Sequence, residues 1–128
     1  SFFTSQEAIR LMAKQNGGHI INITSTNADL VSSQSPSYHA AKAGLSHLTC
    51  YLAKHAAAYG VRVNAVSPGP IYTDFNKKVM AERAQTLNIS EEEMISRVAK
   101  SIPLGRWGEP KEIAEAVAFL CSPSSAWT

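Results

Sequence analysis

Two short apolar runs bracket one long helical stretch, and that order leaves few folds open. His19-Ile20-Ile21-Asn22-Ile23-Thr24 and Val61-Arg62-Val63-Asn64-Ala65-Val66-Ser67 are rich in the β-branched residues that strands favour. The first run does not alternate apolar and polar positions, which suits a parallel strand covered on both faces. Between the runs, Ser35-Pro36 offers a hydroxyl N-cap and a proline for the first turn of a helix. That helix carries Leu45, Leu48, Leu52 and alanines at 53 and 56–58, and it runs to about Tyr59, where Gly60 stops it. Strand, helix, strand makes a βαβ crossover, which is right-handed in nearly all α/β proteins.

The flanking segments are helical. Ala8, Ile9, Leu11 and Met12 recur at helical spacing, so residues 4–15 predict a helix that Asn16-Gly17-Gly18 ends. Residues 26–34 read as a polar loop. Helices follow near 74–87 and 91–100; the second opens with Ser90 and Glu93 at capping-box spacing, with Glu91 and Glu92 at its positive end. Residues 101–109 read as a loop. Pro110 starts a last helix whose Ile113, Ala114, Val117, Ala118 and Leu120 face a core.

At 128 residues the length prior is one domain, 45% hydrophobic and 17% charged as in soluble globular proteins. A net charge of +2, with Lys and Arg scattered, gives no electrostatic footprint for nucleic acid. No apolar run approaches the roughly 18 residues of a membrane span. No signal-peptide pattern opens the chain, since Glu7 and Arg10 interrupt the first apolar segment. Cys50 and Cys121 have neither paired-motif nor zinc-ligand spacing, so two reduced thiols in a cytoplasmic protein is the default.

The chemistry gathers around Tyr38-His39-Ala40-Ala41-Lys42. Side chains four apart share a helix face, and a nearby cation favours the charged form of a phenol whose ordinary pKa is about 10. Such a phenol can give or take a proton, as reduction of a carbonyl or oxidation of an alcohol requires. Ser25 lies thirteen residues upstream, at the end of the first strand. Thr24 and Thr26 adjoin it, and the spacing to Tyr38 selects Ser25. Pro68-Gly69-Pro70-Ile71-Tyr72-Thr73 follows the second strand, and Gly105-Arg106-Trp107-Gly108-Glu109-Pro110 precedes the last helix.

This order resembles the classical short-chain dehydrogenase/reductase family, over essentially the whole chain. The resemblance implies an α/β fold, an incomplete doubly wound Rossmann-type parallel sheet, with residues about 74–104 as substrate-covering helices. It implies an NAD(P)-dependent oxidoreductase interconverting a ketone or aldehyde and an alcohol. Tyr38 is then the general acid/base. Lys42 tunes Tyr38 and holds the nicotinamide ribose, and Ser25 steadies the reacting oxygen. Tyr38, Lys42, Pro68, Gly69, Ile71 and Thr73 form the cofactor-binding set. The Ile71 backbone pairs with the nicotinamide carboxamide and the Thr73 hydroxyl also contacts the cofactor. Asn64 is expected to tie neighbouring backbone together. Phe75, Met80, Leu87 and Met94 are either apolar substrate contacts or plain core. His39, His47 and His55 recur every eight residues, but with no carboxylate partner a metal site is not expected. Their helix and the first are expected instead to form a homodimer or homotetramer interface.

The chain departs from the family in one large respect. Its seven glycines (17, 18, 44, 60, 69, 105, 108) include no pyrophosphate-binding cluster, and the family's catalytic Asn and last strand are absent. The chain thus corresponds to the second half of the domain, without the first four strands and the last one. Exposed strand edges invite pairing with another chain, and two strands rarely make a stable sheet alone. The expectation is that the remainder is removed or supplied by another chain, and that this segment alone is not a competent enzyme. The rival reading is a non-catalytic scaffold that assembles through its long helices and binds no dinucleotide. Neither the choice between NAD and NADP nor the substrate is legible.

Overall fold

A computed structural model describes residues 1–32 and 35–128. Helix α1 (Phe2–Lys14) leads to strand β1 (Gly18–Ile23) and a 3-10 turn at Thr26–Ala28. Helix α2 (Pro36–Ala56) follows, its end tightened into a 3-10 turn at Ala57–Tyr59, and then strand β2 (Val61–Val66). Helices α3 (Asp74–Leu87), α4 (Glu91–Ser101) and α5 (Pro110–Cys121) precede a final 3-10 turn at Pro123–Ser125.

Among the described residues the sheet has two strands, paired in parallel from Gly18↔Val61 to Ile23↔Val66. Both strands begin where a helix has just ended, and the two turns crowd each other. Gly17 (φ 139°) and Gly60 (φ 71°) answer this: a Cβ on Gly17 would stand 2.8 Å from the Gly60 carbonyl oxygen. Glycine supplies both the left-handed backbone and the close approach.

The chain divides into two compact units, Ser1–Pro68 with Glu115–Thr128 and Gly69–Ala114. In the first, Leu52 and Ala56 of α2 pack on Val61 and Val63 of β2, with Ile9, Met12, Ile20, Leu48 and Ala53 around them. Because strand side chains alternate, Arg62 and Asn64 face the other way. Their side chains hold carbonyls at and beyond the end of α5: Arg62 bonds those of Leu120, Ser122, Ser125 and Thr128, and Asn64 that of Thr128. Asn64 therefore ties backbone, as expected of it. In the second unit, Met80, Ala84 and Met94 form the core, ringed by Val79, Ile89, Ile95, Val98 and Trp107.

Several expectations change. The loop at 26–34 contains a 3-10 turn at Thr26–Ala28; Ser33 and Gln34 lie outside the described residues. Strand β1 is not covered on both faces, since none of its residues is buried and Ile23 is 43% exposed. Helix α5 likewise buries no residue fully; Ala114 and Ala118 are exposed and Ile113, Val117 and Leu120 half-buried. The α4 capping box is half made. Ser90 Oγ accepts from Glu93 N at 3.1 Å, but the Glu93 carboxylate turns to Arg97 at 2.6 Å. Glu92 takes over near the cap: its own backbone N–H, then the Ser90 hydroxyl, hold its carboxyl below the usual range. Met80 and Met94 prove to be core, whereas Phe75 and Leu87 are exposed. No described helix is long and apolar enough to cross a membrane.

Candidate active site

The carboxyl ends of β1 and β2 are stitched together. Thr24 N donates to Val66 O at 2.8 Å, and Thr24 Oγ1 reaches the same carbonyl at 3.1 Å. Thr26 N donates to Pro68 O at 3.0 Å, so Pro68 is held beside the turn that follows β1. In open α/β sheets this is the end that receives ligands.

Ser25 sits at that end, extended (φ −168°, ψ 152°) and 8% exposed, as N-cap of the 3-10 turn. Its Oγ accepts from Asn27 N at 3.2 Å. The hydroxyl proton makes no bond among the described residues.

Helix α2 packs against the Thr26–Ala28 turn. Ser35 caps it, accepting from Tyr38 N at 3.4 Å, and His39 pins the same corner. Ser32 N donates to His39 Nε2 at 3.1 Å, and Nδ1 stands 3.0 Å from Ser35 O. Since Nε2 accepts a bond, the proton of a neutral ring lies on Nδ1 and goes to Ser35. Both His39 nitrogens are spent on the helix start. His55 instead stacks on Tyr51, with ring centroids 4.3 Å apart. Among the described residues no three His, Cys, Asp or Glu side chains gather as metal ligands.

Tyr38 opens the first turn of α2 and is 38% exposed, its hydroxyl without a partner among the described residues. One turn on, Lys42 Nζ stands 5.7 Å from the Tyr38 ring centroid, within cation–π reach. The same ammonium donates to Ile23 O at 2.8 Å. This bond ties α2 to the last residue of β1, two positions before Ser25. Two of the three ammonium donors are left for a ligand. Nothing in the spacing signals the bond, because its partners lie nineteen residues apart.

In the second unit, Thr73 Oγ1 caps α3, accepting from Asn76 N at 3.2 Å, and Asn76 Nδ2 donates to Ile71 O at 2.8 Å. Ile71 also forms a parallel bridge with Gly108: Tyr72 N donates to Gly108 O at 2.8 Å and Gly108 N to Pro70 O at 3.1 Å. Successive peptide groups in an extended chain point opposite ways. The Ile71 N–H and C=O therefore both face away from Gly108, and the N–H has no partner among the described residues. Sequence reasoning missed this bridge; Gly-Arg-Trp-Gly-Glu-Pro gave a family signature but not a reason for its glycine. Gly69 follows Pro68 directly, at the boundary between the units.

Glu112 draws a bidentate bond from Arg106 and accepts from Glu109 N, and these donors pull its carboxyl from the ordinary 4.5 to about 2. The Arg106 guanidinium is raised in turn, chiefly by its bond to Glu112. A depressed carboxylate favours the folded state above pH 4.5 and loses that contribution as pH falls toward 2.

A family model described as enoyl-(acyl carrier protein) reductase matches residues 1–128. A 3-oxoacyl-[acyl-carrier-protein] reductase of Vibrio cholerae is 38% identical over 126 residues, 98% of this chain and 47% of that protein. The structure of NAD+-bound xylitol dehydrogenase aligns with a TM-score of 0.89 at 27% identity, over 99% of this chain and 51% of that one. A 7α-hydroxysteroid dehydrogenase complexed with NADH and 7-oxo glycochenodeoxycholic acid gives 0.83 at 36% identity, over 99% and 46%. The chain spans about half the length of the curated relatives it matches. Matched from first residue to last, and sharing its order of elements with solved α/β oxidoreductases, this chain belongs to the short-chain dehydrogenase/reductase family.

Proposed function

We propose that the protein carrying these residues is an NAD(P)-dependent oxidoreductase that interconverts a ketone or aldehyde and an alcohol, with Tyr38 moving the proton. The observation that supports this reading is Lys42, whose ammonium bonds Ile23 O at the end of β1, two residues before Ser25, and stands 5.7 Å from the centroid of the Tyr38 ring.

The chain's residues fit the nicotinamide half of a dinucleotide. The outward N–H of Ile71, and its C=O with the lone pair left beside the bond from Asn76 Nδ2, match the edge of a primary carboxamide, which offers one acceptor and one donor pair. Thr73 Oγ1 accepts from Asn76 N and keeps its proton for a ligand. In the first unit Lys42 has donors for ribose hydroxyls; Pro68 there and Gly69 in the second unit are the remaining members of the set that the family resemblance implies. No glycine cluster suits the pyrophosphate within these residues. When bound, the reduced nicotinamide supplies the hydride.

Ser25 donates to the substrate oxygen and steadies the charge that grows there. Tyr38 then gives its proton to that oxygen, and takes one back when an alcohol is oxidised. Lys42 keeps its ammonium 5.7 Å from the centroid of the Tyr38 ring and so helps to hold that ring in place. The decisive assay supplies NADH or NADPH to the whole protein with a 3-oxoacyl thioester, an oxo-steroid and a ketose. One alcohol should form for each nucleotide oxidised with at least one of them. No consumption of either nucleotide across the panel would refute the reading.

The scaffold alternative shares one feature with the enzyme, assembly through α1 and α2. A groove of about 880 Å³ is lined by Phe2, Ile9, Tyr51 and Tyr59 among others, with Arg10 and Lys14 also on its wall. A second copy seated there would cover aromatic surface that now faces water. Sedimentation should show the whole protein as a dimer or tetramer, and Tyr51→Glu should dissociate it; a wild-type monomer at micromolar concentration would remove the proposal.

A further inference from the structure

The Arg106–Glu112 pair is well built for a surface contact. Arg106 grips both oxygens of Glu112, at 2.9 and 2.6 Å, and its Nη1 also donates to the Trp107 carbonyl at 3.0 Å. Glu112 Oε2 accepts in addition from Glu109 N at 2.8 Å. One guanidinium and one carboxylate thus close the loop 106–112 at both ends. The side chains are 54% and 44% exposed, and pairs so open to water add little to stability. What such a fork does supply is geometry.

Gly108 lies inside the closed loop. Its N–H and C=O are the two groups that grip Pro70 and Tyr72, and together with Asn76 Nδ2 on the Ile71 carbonyl they set the direction of Ile71. A Cβ there would stand 2.6 Å from Ile71 Cδ1, so a larger residue would have to push the end of that side chain aside. Trp107, next in line, donates Nε1 to Ile95 O at 3.0 Å and meets the Tyr72 ring edge-on, with centroids 6.0 Å apart. The loop is therefore anchored to α4 on one side and to the Ile71 segment on the other.

We propose that Arg106 and Glu112 are positioning residues, which act through Gly108 to hold the Ile71 N–H and C=O at the angle a nicotinamide carboxamide needs. This rests on the reading of Ile71 given above. The pair touches neither cofactor nor substrate. It keeps a two-point hydrogen-bonding edge in one orientation, and that edge distinguishes a carboxamide from groups that lack its N–H.

The test compares equilibrium binding of the reduced cofactor with that of its 3-acetylpyridine analogue, in which a methyl replaces the amide nitrogen. Both are titrated into the whole protein by fluorescence. Wild type should favour the carboxamide by about fivefold, the worth of one hydrogen bond. In Glu112→Gln this ratio should fall toward one, mostly through weaker carboxamide binding. Exchange of the Tyr72 amide hydrogen should quicken, while the melting temperature moves by no more than about 2 °C, as for an exposed pair. Arg106→Lys keeps the charge without the fork and should lie between, and it serves if the first variant does not fold. A preserved ratio in both variants overturns the proposal and leaves the function standing. Equal weakening of both ligands with a large drop in melting temperature overturns it too, since that is a structural role. A wild-type ratio near one removes the Ile71 reading itself, and the proposal falls with it.

Discussion

Tyr38→Phe in the whole protein should lower turnover by about a thousandfold or more while the dissociation constant for the nicotinamide cofactor stays within about twofold of wild type. The expectation follows from what the substitution removes and what it leaves. The phenol oxygen is the only atom lost, and it makes no bond to any described residue, so no partner is orphaned. The ring stays to pack beneath the Lys42 ammonium, 5.7 Å from its centroid. Lys42 keeps its bond to Ile23 O at 2.8 Å, so the end of β1 and the start of α2 hold their places. What disappears is the proposed proton donor, worth roughly 10² to 10⁴ in rate for a well-placed general acid. Steady-state rates with a saturating carbonyl substrate, set beside nucleotide titrations, separate the two effects. Turnover within tenfold of wild type would take Tyr38 out of the chemistry.

The largest effect on stability should come from Arg62→Met, at about 3 kcal/mol, read as a drop of roughly 10 °C in melting temperature. Arg62 rises from β2 and gives Nη2 to Leu120 O at 2.8 Å and Ser122 O at 3.4 Å, and Nη1 to Ser125 O at 2.9 Å and Thr128 O at 3.1 Å. These carbonyls lie at and beyond the last turn of α5, where a helix has bare acceptors and the negative end of its dipole. A cation there answers both. Ser125, 1% exposed, already spends its hydroxyl on two of the same carbonyls, Leu120 O and Ser122 O, and cannot serve the others. Methionine has a similar stem but no donor, so polar groups lose their partner with little change in volume. Charge-assisted bonds contribute about 1.5–3 kcal/mol each when singly removed, and four on one side chain do not add. A shift below about 3 °C would show that water replaces the guanidinium at little cost.

The elements were legible where their ends are written locally. Ser35 and Ser90 as N-caps, Pro36 in a first turn and Gly60 past a last turn are short-range chemistry. Helix α3 accordingly occupies Asp74–Leu87 and α4 begins at Glu91. The capping box shows the limit of such reading. Ser90 does cap, but Arg97 lies within reach of Glu93, and an opposite charge competes better for a carboxylate than a backbone N–H does. The methionines show another. Met80 and Met94 have the same composition signal as substrate contacts and core, and only packing makes them core.

For the candidate site, the order of residues along the chain picks out Ser25, Tyr38 and Lys42, because a helix face and a strand end are periodic features that spacing encodes. The contacts that give those residues a setting are of another kind. Lys42 on the Ile23 carbonyl, Arg62 on four carbonyls from Leu120 to Thr128, and Gly108 beside Ile71 join positions 19 to 66 residues apart. Local propensity carries no trace of such pairs. They exist because the βαβ crossover and the turns after β2 and α4 bring distant backbone groups together, and each polar group so enclosed must find a partner or stay with water. Residue types and spacing were enough for the family. Which carbonyl each cation holds, and which way Ile71 faces, were settled by long-range backbone pairing.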